Sequence, residues 1–153
     1  MAFGDRTITD SAEIVQYLDA TYPEPSLKPQ GSQEAEEITG NIFNLFSAWA
    51  KHFKEDSASQ AEANFTAELQ KIDSFLAKGA GPLLCGAQWC VADCSLVPRL
   101  YHITTVADSF LHYSKYKDMP NLMKYMDYAF STQEFKDTDY PREWILTGWA
   151  KYF

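Results

Sequence analysis

The sequence predicts an all-α fold, and three features of the chain lead to that prediction. Its 153 residues are 46% hydrophobic and 22% charged, which is the size and composition of one ordinary globular domain. In successive segments the apolar residues recur every three or four positions, the spacing that places them on one face of an α-helix. No segment alternates convincingly between apolar and polar residues, as a half-buried strand would. We therefore expect a bundle of helices around one core.

The segment 1–22 is predicted to end in a short helix. Thr9 or Asp10 can cap its first turn, because a side-chain oxygen there accepts a backbone N–H that has no partner within the helix. The apolar side of this helix would be formed by Ile14, Val15 and Leu18. A linker is predicted over 23–32, where three prolines disfavour both helix and central strand.

The next two segments are predicted to form an αα-hairpin. The first helix, from 33 to about 53, would bury Ile38, Ile42, Leu45, Phe46, Trp49 and Phe53. The second would bury Ala61, Phe65, Leu69, Ile72 and Leu76. The polar stretch 54–59 between them has the length that commonly joins antiparallel helices, and Gly79 and Pro82 would end the second helix.

Two further long helices and a short one complete the prediction, which assigns 33–153 to one helical domain. A helix over 91–110 contains Pro98, which lacks the N–H that a helix interior uses, so we expect distorted turns or another donor for the freed carbonyl. Another helix follows Pro120, and 131–134 has the pattern of a capping box that opens a short helix. The aromatic tail from Pro141 to Phe153 is expected to be ordered.

Charge and hydropathy exclude two classes of partner. The formal net charge is −8, which repels the phosphates of nucleic acids and anionic lipid headgroups. No stretch approaches the roughly 20 apolar residues that a membrane-spanning helix needs. The first residues lack the pattern of a signal peptide, so we expect an intracellular protein.

The three cysteines, Cys85, Cys90 and Cys94, are expected to be reduced and buried. Their spacing matches no common zinc motif, so no metal site is predicted. One alternative stays open at Cys90, because a helix start there would lower the pKa of its thiol and make it a nucleophile.

The segment from Leu83 to His102, LLCGAQWCVADCSLVPRLYH, resembles the loop and buried central helix of the glutathione transferase C-terminal domain. In that family a Ser/Thr-x-x-Asp cap begins the helix. Asp93 holds the aspartate position here, and Cys90 replaces the hydroxyl. The resemblance implies that Asp93 is a structural cap.

Within this superfamily the chain looks most like plant and algal dehydroascorbate reductases, with the chloride intracellular channel proteins next. The resemblance rests on 96–102, on 128–131, on Gly148-Trp149-Ala150 and on the segment from Ile8 to Pro25. It implies that residues 1–22 are the last strand and helix of a thioredoxin-like domain. It also implies that Asp10 and Ser11 bind the γ-glutamyl end of glutathione. His102 would line the cleft between the two domains. Trp149 would either line the same cleft or hold the C-terminal tail in place by packing.

The family's catalytic Cys-Pro motif does not occur in these 153 residues. The leading hypothesis is a dehydroascorbate reductase-like glutathione transferase, with glutathione as co-substrate and no metal, that lacks the catalytic segment and is inactive as given. The alternative is a non-catalytic adaptor subunit whose protein partner covers the open N-terminal edge near Thr7. The resemblance places the protein in the cytoplasm or a plastid.

Overall fold

The computed structural model describes residues 2–3 and 6–153. At its start, strands β1 (Ala2–Phe3) and β2 (Arg6–Thr7) pair antiparallel, with Ala2 opposite Thr7. Met1, Gly4 and Asp5, which belong to the predicted segment 1–22, lie outside the described residues. Helix α1 follows over Ser11–Thr21, as the apolar spacing predicted.

The single long helix predicted from 33 to 53 is wrong, because the structure divides it in two. Helix α2 spans Ser32–Thr39 and helix α3 spans Ile42–Lys51. The break falls at Gly40 and Asn41, two residues that support a helix interior poorly. Both halves still bury their apolar stripe, so the break changes the direction of the chain without exposing the core.

Helix α4 (Ala58–Leu76) packs against α3 and forms the predicted αα-hairpin. Its carboxylate Asp73 accepts the backbone N–H groups of Asn121 and Leu122, each at 2.8 Å. These two residues lie in the first turn of helix α6 (Pro120–Ser131), so α4 provides the cap that the sequence of α6 lacks.

Helix α5 (Val91–Val106) lies at the centre of the bundle, in contact with α2, α3, α6 and the C-terminal helix α8 (Arg142–Trp149). It continues into a π-helical turn, Ala107–Leu111, that ends at His112 with a left-handed φ of 50°. Pro98 lies within α5 and is exposed. The helix runs through Pro98 without interruption, and the irregular turn is at its other end.

A 3-10 turn, Lys115–Asp118, leads to the last three helices: α6 (Pro120–Ser131), α7 (Gln133–Thr138) and α8 (Arg142–Trp149), followed by a 3-10 turn over Ala150–Tyr152. The predicted capping box at 131–134 is shifted by one residue. Thr132 is the cap, and its hydroxyl accepts the N–H of Phe135, whereas the Ser131 hydroxyl donates back to the carbonyl of Tyr128.

The core between these helices is rich in aromatic rings. Phe46, at the centre, contacts Trp49, Phe65 and Trp149 with ring centroids 5.5 to 6.3 Å apart. Bulky rings at such positions fill the space between helices that cross at different angles. None of the helices in the described part of the chain is long and apolar enough to cross a membrane.

Candidate functional site

The carboxyl group of Asp93 fixes the start of α5, and its side chain has no exposed surface. One oxygen accepts the Cys90 backbone N–H at 3.0 Å and the Cys90 thiol at 3.1 Å. The other accepts the backbone N–H of Leu84 at 3.1 Å and the hydroxyl of Tyr125 at 2.9 Å. The start of α5 is therefore tied both to the preceding loop and to α6.

The three thiols in this region, of Cys85, Cys90 and Cys94, are free. Burial raises the pKa of Cys90, and its hydrogen bond to Asp93 raises it further. Burial also raises the pKa of Cys94, with the Asp93 charge adding to the effect. These effects act against the lowered pKa that the nucleophile alternative for Cys90 requires. Among the described residues no cluster of His, Cys, Asp and Glu could hold a metal ion.

A first cavity of about 500 Å³, here named the polar cavity, lies between α1, α2 and α5. Ser11 lines it at the start of α1. Asp10 is the N-cap of α1, and its oxygen accepts the backbone N–H groups of Ala12 at 2.9 Å and Glu13 at 3.1 Å. The structure thus places Ser11 in the cavity wall, whereas the Asp10 carboxylate is used at the helix start beside it.

Two cations, Lys28 and Arg99, and one carboxylate, Glu36, line the polar cavity. Lys28 forms an ion pair with Asp19, with Nζ and Oδ2 3.3 Å apart. Arg99, half-buried on α5, makes neither a salt bridge nor a side-chain hydrogen bond within the described part of the chain. A guanidinium with unused donors in a polar cavity can bind a carboxylate through two parallel hydrogen bonds.

A second cavity of about 420 Å³, here named the histidine cavity, contains both predicted cleft residues. The indole Nε1–H of Trp149 donates to Nε2 of His102. The other ring nitrogen of His102, Nδ1, lies 3.3 Å from the hydroxyl oxygen of Tyr140. The edge of the Phe43 ring packs against the imidazole, with centroids 5.3 Å apart. His102 and Trp149, which the sequence suggested separately, are thus direct partners.

These contacts assign the protonation state of His102. An indole N–H can only donate, so Nε2 must carry the lone pair and the neutral ring carries its proton on Nδ1. Nδ1–H then donates to Tyr140, which leaves the Tyr140 hydroxyl proton available to a ligand. Burial lowers the pKa of His102, which agrees with a neutral ring.

The lowered pKa of His102 predicts that acid destabilises the fold. The unfolded chain binds the proton more tightly than the folded chain, so stability is fully present above the ordinary histidine pKa of 6.5 and is lost as the pH falls below it. Urea unfolding at several pH values between about 7.5 and about 5 measures this loss. His102→Gln should lose less stability over the same range.

The exposed His112 provides the control for this prediction, since it makes no side-chain hydrogen bond or ion pair within the described residues. His112→Asn, a residue that tolerates the left-handed backbone at this position, should lose stability on acidification as the unsubstituted chain does. If His102→Gln had the same pH dependence as the unsubstituted chain, the neutral assignment of His102 would be wrong.

The polar and histidine cavities are neighbours along two elements. On α5, Arg99 lines the polar cavity and His102, three residues later, lines the histidine cavity. Near the start of α3, Gly40 lines the polar cavity and Phe43, also three residues later, lines the histidine cavity. Residues three apart on a helix lie about 5–6 Å from each other.

Sequence reasoning missed Arg99 and Tyr140. The position of Arg99, one turn before His102 on the same helix face, was a usable signal, whereas nothing in the sequence pairs Tyr140 with His102.

Comparison with known proteins gives a consistent result. No protein-family model matches the chain. Glutathione S-transferase DHAR2 of Arabidopsis thaliana is 29% identical over 93% of this chain and 65% of its own length. The probable cytosolic glutathione S-transferase DHAR1 of Oryza sativa subsp. japonica is 32% identical over 94% of this chain and 65% of its own length. Dehydroascorbate reductase from Chlamydomonas reinhardtii has a matching structure, with a TM-score of 0.83 and 28% identity over 95% of this chain and 67% of that one. This chain is related to the dehydroascorbate reductases of the glutathione transferase superfamily.

The all-α glutathione transferase fold predicted from the sequence is thereby confirmed. The CLIC homologue EXC-4 from C. elegans shares the fold, with a TM-score of 0.80 and 21% identity over 96% of this chain and 59% of that one. This glutathione transferase homologue spans 65% of the length of the first curated relatives, slightly less than two thirds. Some relatives are described as cytosolic and others as chloroplastic.

Proposed function

We propose that this chain contributes the helical half of a glutathione-dependent dehydroascorbate reductase that acts in the cytosol or a plastid. The observation that carries the proposal is the pair of adjoining cavities along α5. The polar cavity presents the guanidinium of Arg99 beside Lys28 and Glu36, and the histidine cavity presents Lys51 and Lys151, although the chain has a net charge of −8. The sequence similarity to dehydroascorbate reductases supports the same assignment.

Glutathione would bind in the polar cavity. It is an anionic tripeptide with two carboxylates and one ammonium group. Ser11 can donate its hydroxyl to the γ-glutamyl carboxylate, Asp10 lies beside it for the ammonium, and Arg99 can form a paired hydrogen bond with a carboxylate. The cavity volume of about 500 Å³ is sufficient for a ligand of this size.

Dehydroascorbate would bind in the histidine cavity. Lys51 and Lys151 line this cavity, and no acidic side chain does so among the described residues. Reduction adds two electrons and converts the dicarbonyl to an enediol that ionises to an anion, so both lysines favour the product charge. Tyr140, held by His102, can donate a proton to an oxygen of the substrate, while Trp149 holds the imidazole in position.

The complete reaction needs a thiolate. In the balanced reaction, two molecules of glutathione are oxidised to one disulfide and dehydroascorbate is reduced to ascorbate, with a cysteine of the protein carrying the intermediate mixed disulfide. The Cys-Pro motif that carries this thiolate in the family does not occur in these 153 residues, and the pKa of the Cys90 and Cys94 thiols is raised. We therefore propose that a polypeptide of these 153 residues alone binds glutathione but does not turn over.

One experiment tests both parts of the proposal. The purified chain is mixed with glutathione and dehydroascorbate, and ascorbate formation is measured beside calorimetric titration with glutathione. We expect no ascorbate above the uncatalysed reaction, together with measurable binding. Arg99→Gln should weaken glutathione binding about tenfold, the amount that corresponds to about 1.4 kcal/mol.

Arg142→Gln is the matched control, because it removes the same charge from an exposed site at the start of α8. It should change glutathione affinity less than about twofold. Equal effects of the two variants would exclude the polar cavity as the glutathione site. Turnover by the chain would contradict its proposed inactivity. No binding at all, with a fixed protein partner on purification, would favour the adaptor function instead.

A further inference from the structure

A third cavity, here named the apolar cavity, adjoins the polar cavity along α5, with which it shares Cys94 and Pro98. It has a volume of about 410 Å³, within the range of small-molecule sites. The wall contains four aromatic rings, from Trp89, Tyr101, Phe135 and Tyr140. Neither the proposed glutathione site nor the proposed substrate site accounts for it.

The three hydroxyl groups of this wall, on Tyr101, Thr138 and Tyr140, each make a hydrogen bond within the protein. The Tyr101 hydroxyl donates to the carbonyl of Tyr140 at 3.3 Å, and the Tyr140 hydroxyl contacts His102. The Thr138 hydroxyl donates to the carbonyl of Glu134 at 2.7 Å. Burial keeps the thiol of Cys94 protonated by raising its pKa. A ligand would therefore meet ring faces and aliphatic carbon over most of its surface.

The charge at the rim of the cavity is negative. Glu134 and Asp139 line it, both are exposed, and neither makes a salt bridge within the described residues. No cationic side chain lines the cavity among those residues. Three charged groups act on Tyr101: the carboxylates of Asp139 and Glu143 and the opposing guanidinium of Arg142. The net charge of these three groups is negative.

We propose that the apolar cavity binds a small aromatic cation, such as an arylalkyl ammonium. The aromatic part would contact the rings of the wall and Val97, and the ammonium would lie between the carboxylates of Glu134 and Asp139. Cations are also attracted to the faces of aromatic rings, so the wall and the rim favour the same ligand. The inference does not depend on the proposed reductase function, since it uses a different cavity and the opposite ligand charge.

A matched pair of probes tests this proposal on the full 153-residue chain: 2-(1-naphthyl)ethylammonium and 1-naphthylacetate. Calorimetric titration should give a dissociation constant in the range of about 10–100 μM for the cation and at least about tenfold weaker binding for the anion. In methyl NMR spectra, Val97, which lines the cavity, should shift on addition of the cation. Val106, buried elsewhere on α5, should not shift.

The acidic chain attracts cations in general, so the variants are matched in net charge. Glu134→Gln combined with Asp139→Asn should weaken cation binding about fivefold, as expected for losing two exposed ion pairs. Asp127→Asn combined with Asp137→Asn removes two charges from exposed positions on α6 and α7 outside the cavity, and should change the affinity less than about twofold.

Each other outcome would overturn the proposal. Equal binding of both probes, or equal loss in both double variants, would exclude recognition by the acidic rim. Binding of the cation without a shift at Val97 would place it elsewhere. Absence of binding by either probe would exclude the site altogether.

Discussion

Replacement of Asp93 by alanine is expected to lower the free energy of unfolding by about 4 kcal/mol, because several buried donors lose their acceptor together. The carboxyl group accepts from two backbone N–H groups, a thiol and a tyrosine hydroxyl, and has no exposed surface. Each buried donor left without a partner costs about 1–3 kcal/mol. Urea unfolding monitored by circular dichroism measures the change.

Two variants separate the Asp93 network from ordinary helix capping. Tyr125→Phe removes one donor and should cost about 1 kcal/mol. Asp73→Ala removes a half-buried carboxylate that caps α6 through Asn121 and Leu122, and should cost about 1–2 kcal/mol. If Asp93→Ala cost no more than Asp73→Ala, the burial of the Asp93 network would contribute nothing beyond a cap.

Replacement of Trp149 by alanine is expected to cost about 3–4 kcal/mol, the range for a large buried aromatic side chain. Trp149 is 7% exposed and packs against Phe46 and Tyr152, with ring centroids 5.5 and 5.4 Å away. Its loss leaves a cavity between α3 and α8 and removes the donor to His102. Thermal and urea unfolding should both report the loss.

The two controls for Trp149 are a conservative substitution and an exposed tryptophan. Trp149→Phe keeps most of the packing but not the N–H, and should cost about 1–2 kcal/mol. Trp144, 69% exposed on the same helix, should change stability by less than about 0.5 kcal/mol when replaced by alanine. Equal effects of Trp144→Ala and Trp149→Ala would show that Trp149 does not hold the C-terminal tail.

Helix positions could be predicted from this sequence because apolar spacing reports directly on a buried helix face. Details that depend on hydrogen-bond geometry could not. The break at Gly40 was hidden because the apolar stripe continues across it, and the cap at Thr132 lies beside an equally suitable Ser131. The free energies of such alternative helix ends and caps differ by only about 1 kcal/mol when local sequence alone is considered. Tertiary packing then determines which of them forms.

The candidate site was predictable only in part, for a related reason. Ser11, His102 and Trp149 each line a cavity, and their roles in ligand binding stay predictions. The partners of His102 come from distant segments. Tyr140 reaches His102 across 38 positions of sequence, and Tyr125 reaches Asp93 across 32. No local pattern records such contacts, because they depend on how α5 packs against α6, α7 and α8.

The distribution of the tryptophans has a practical consequence for spectroscopy. Trp49 and Trp149 are buried, Trp89 is half-buried in the wall of the apolar cavity, and Trp144 is exposed beside the histidine cavity. Indole emission shifts to longer wavelength with contact to water, so the four residues emit differently. Trp149 also lines the histidine cavity, so replacing Trp89 by phenylalanine would remove the indole of the apolar cavity and leave Trp144 and Trp149 as optical reporters of the histidine cavity.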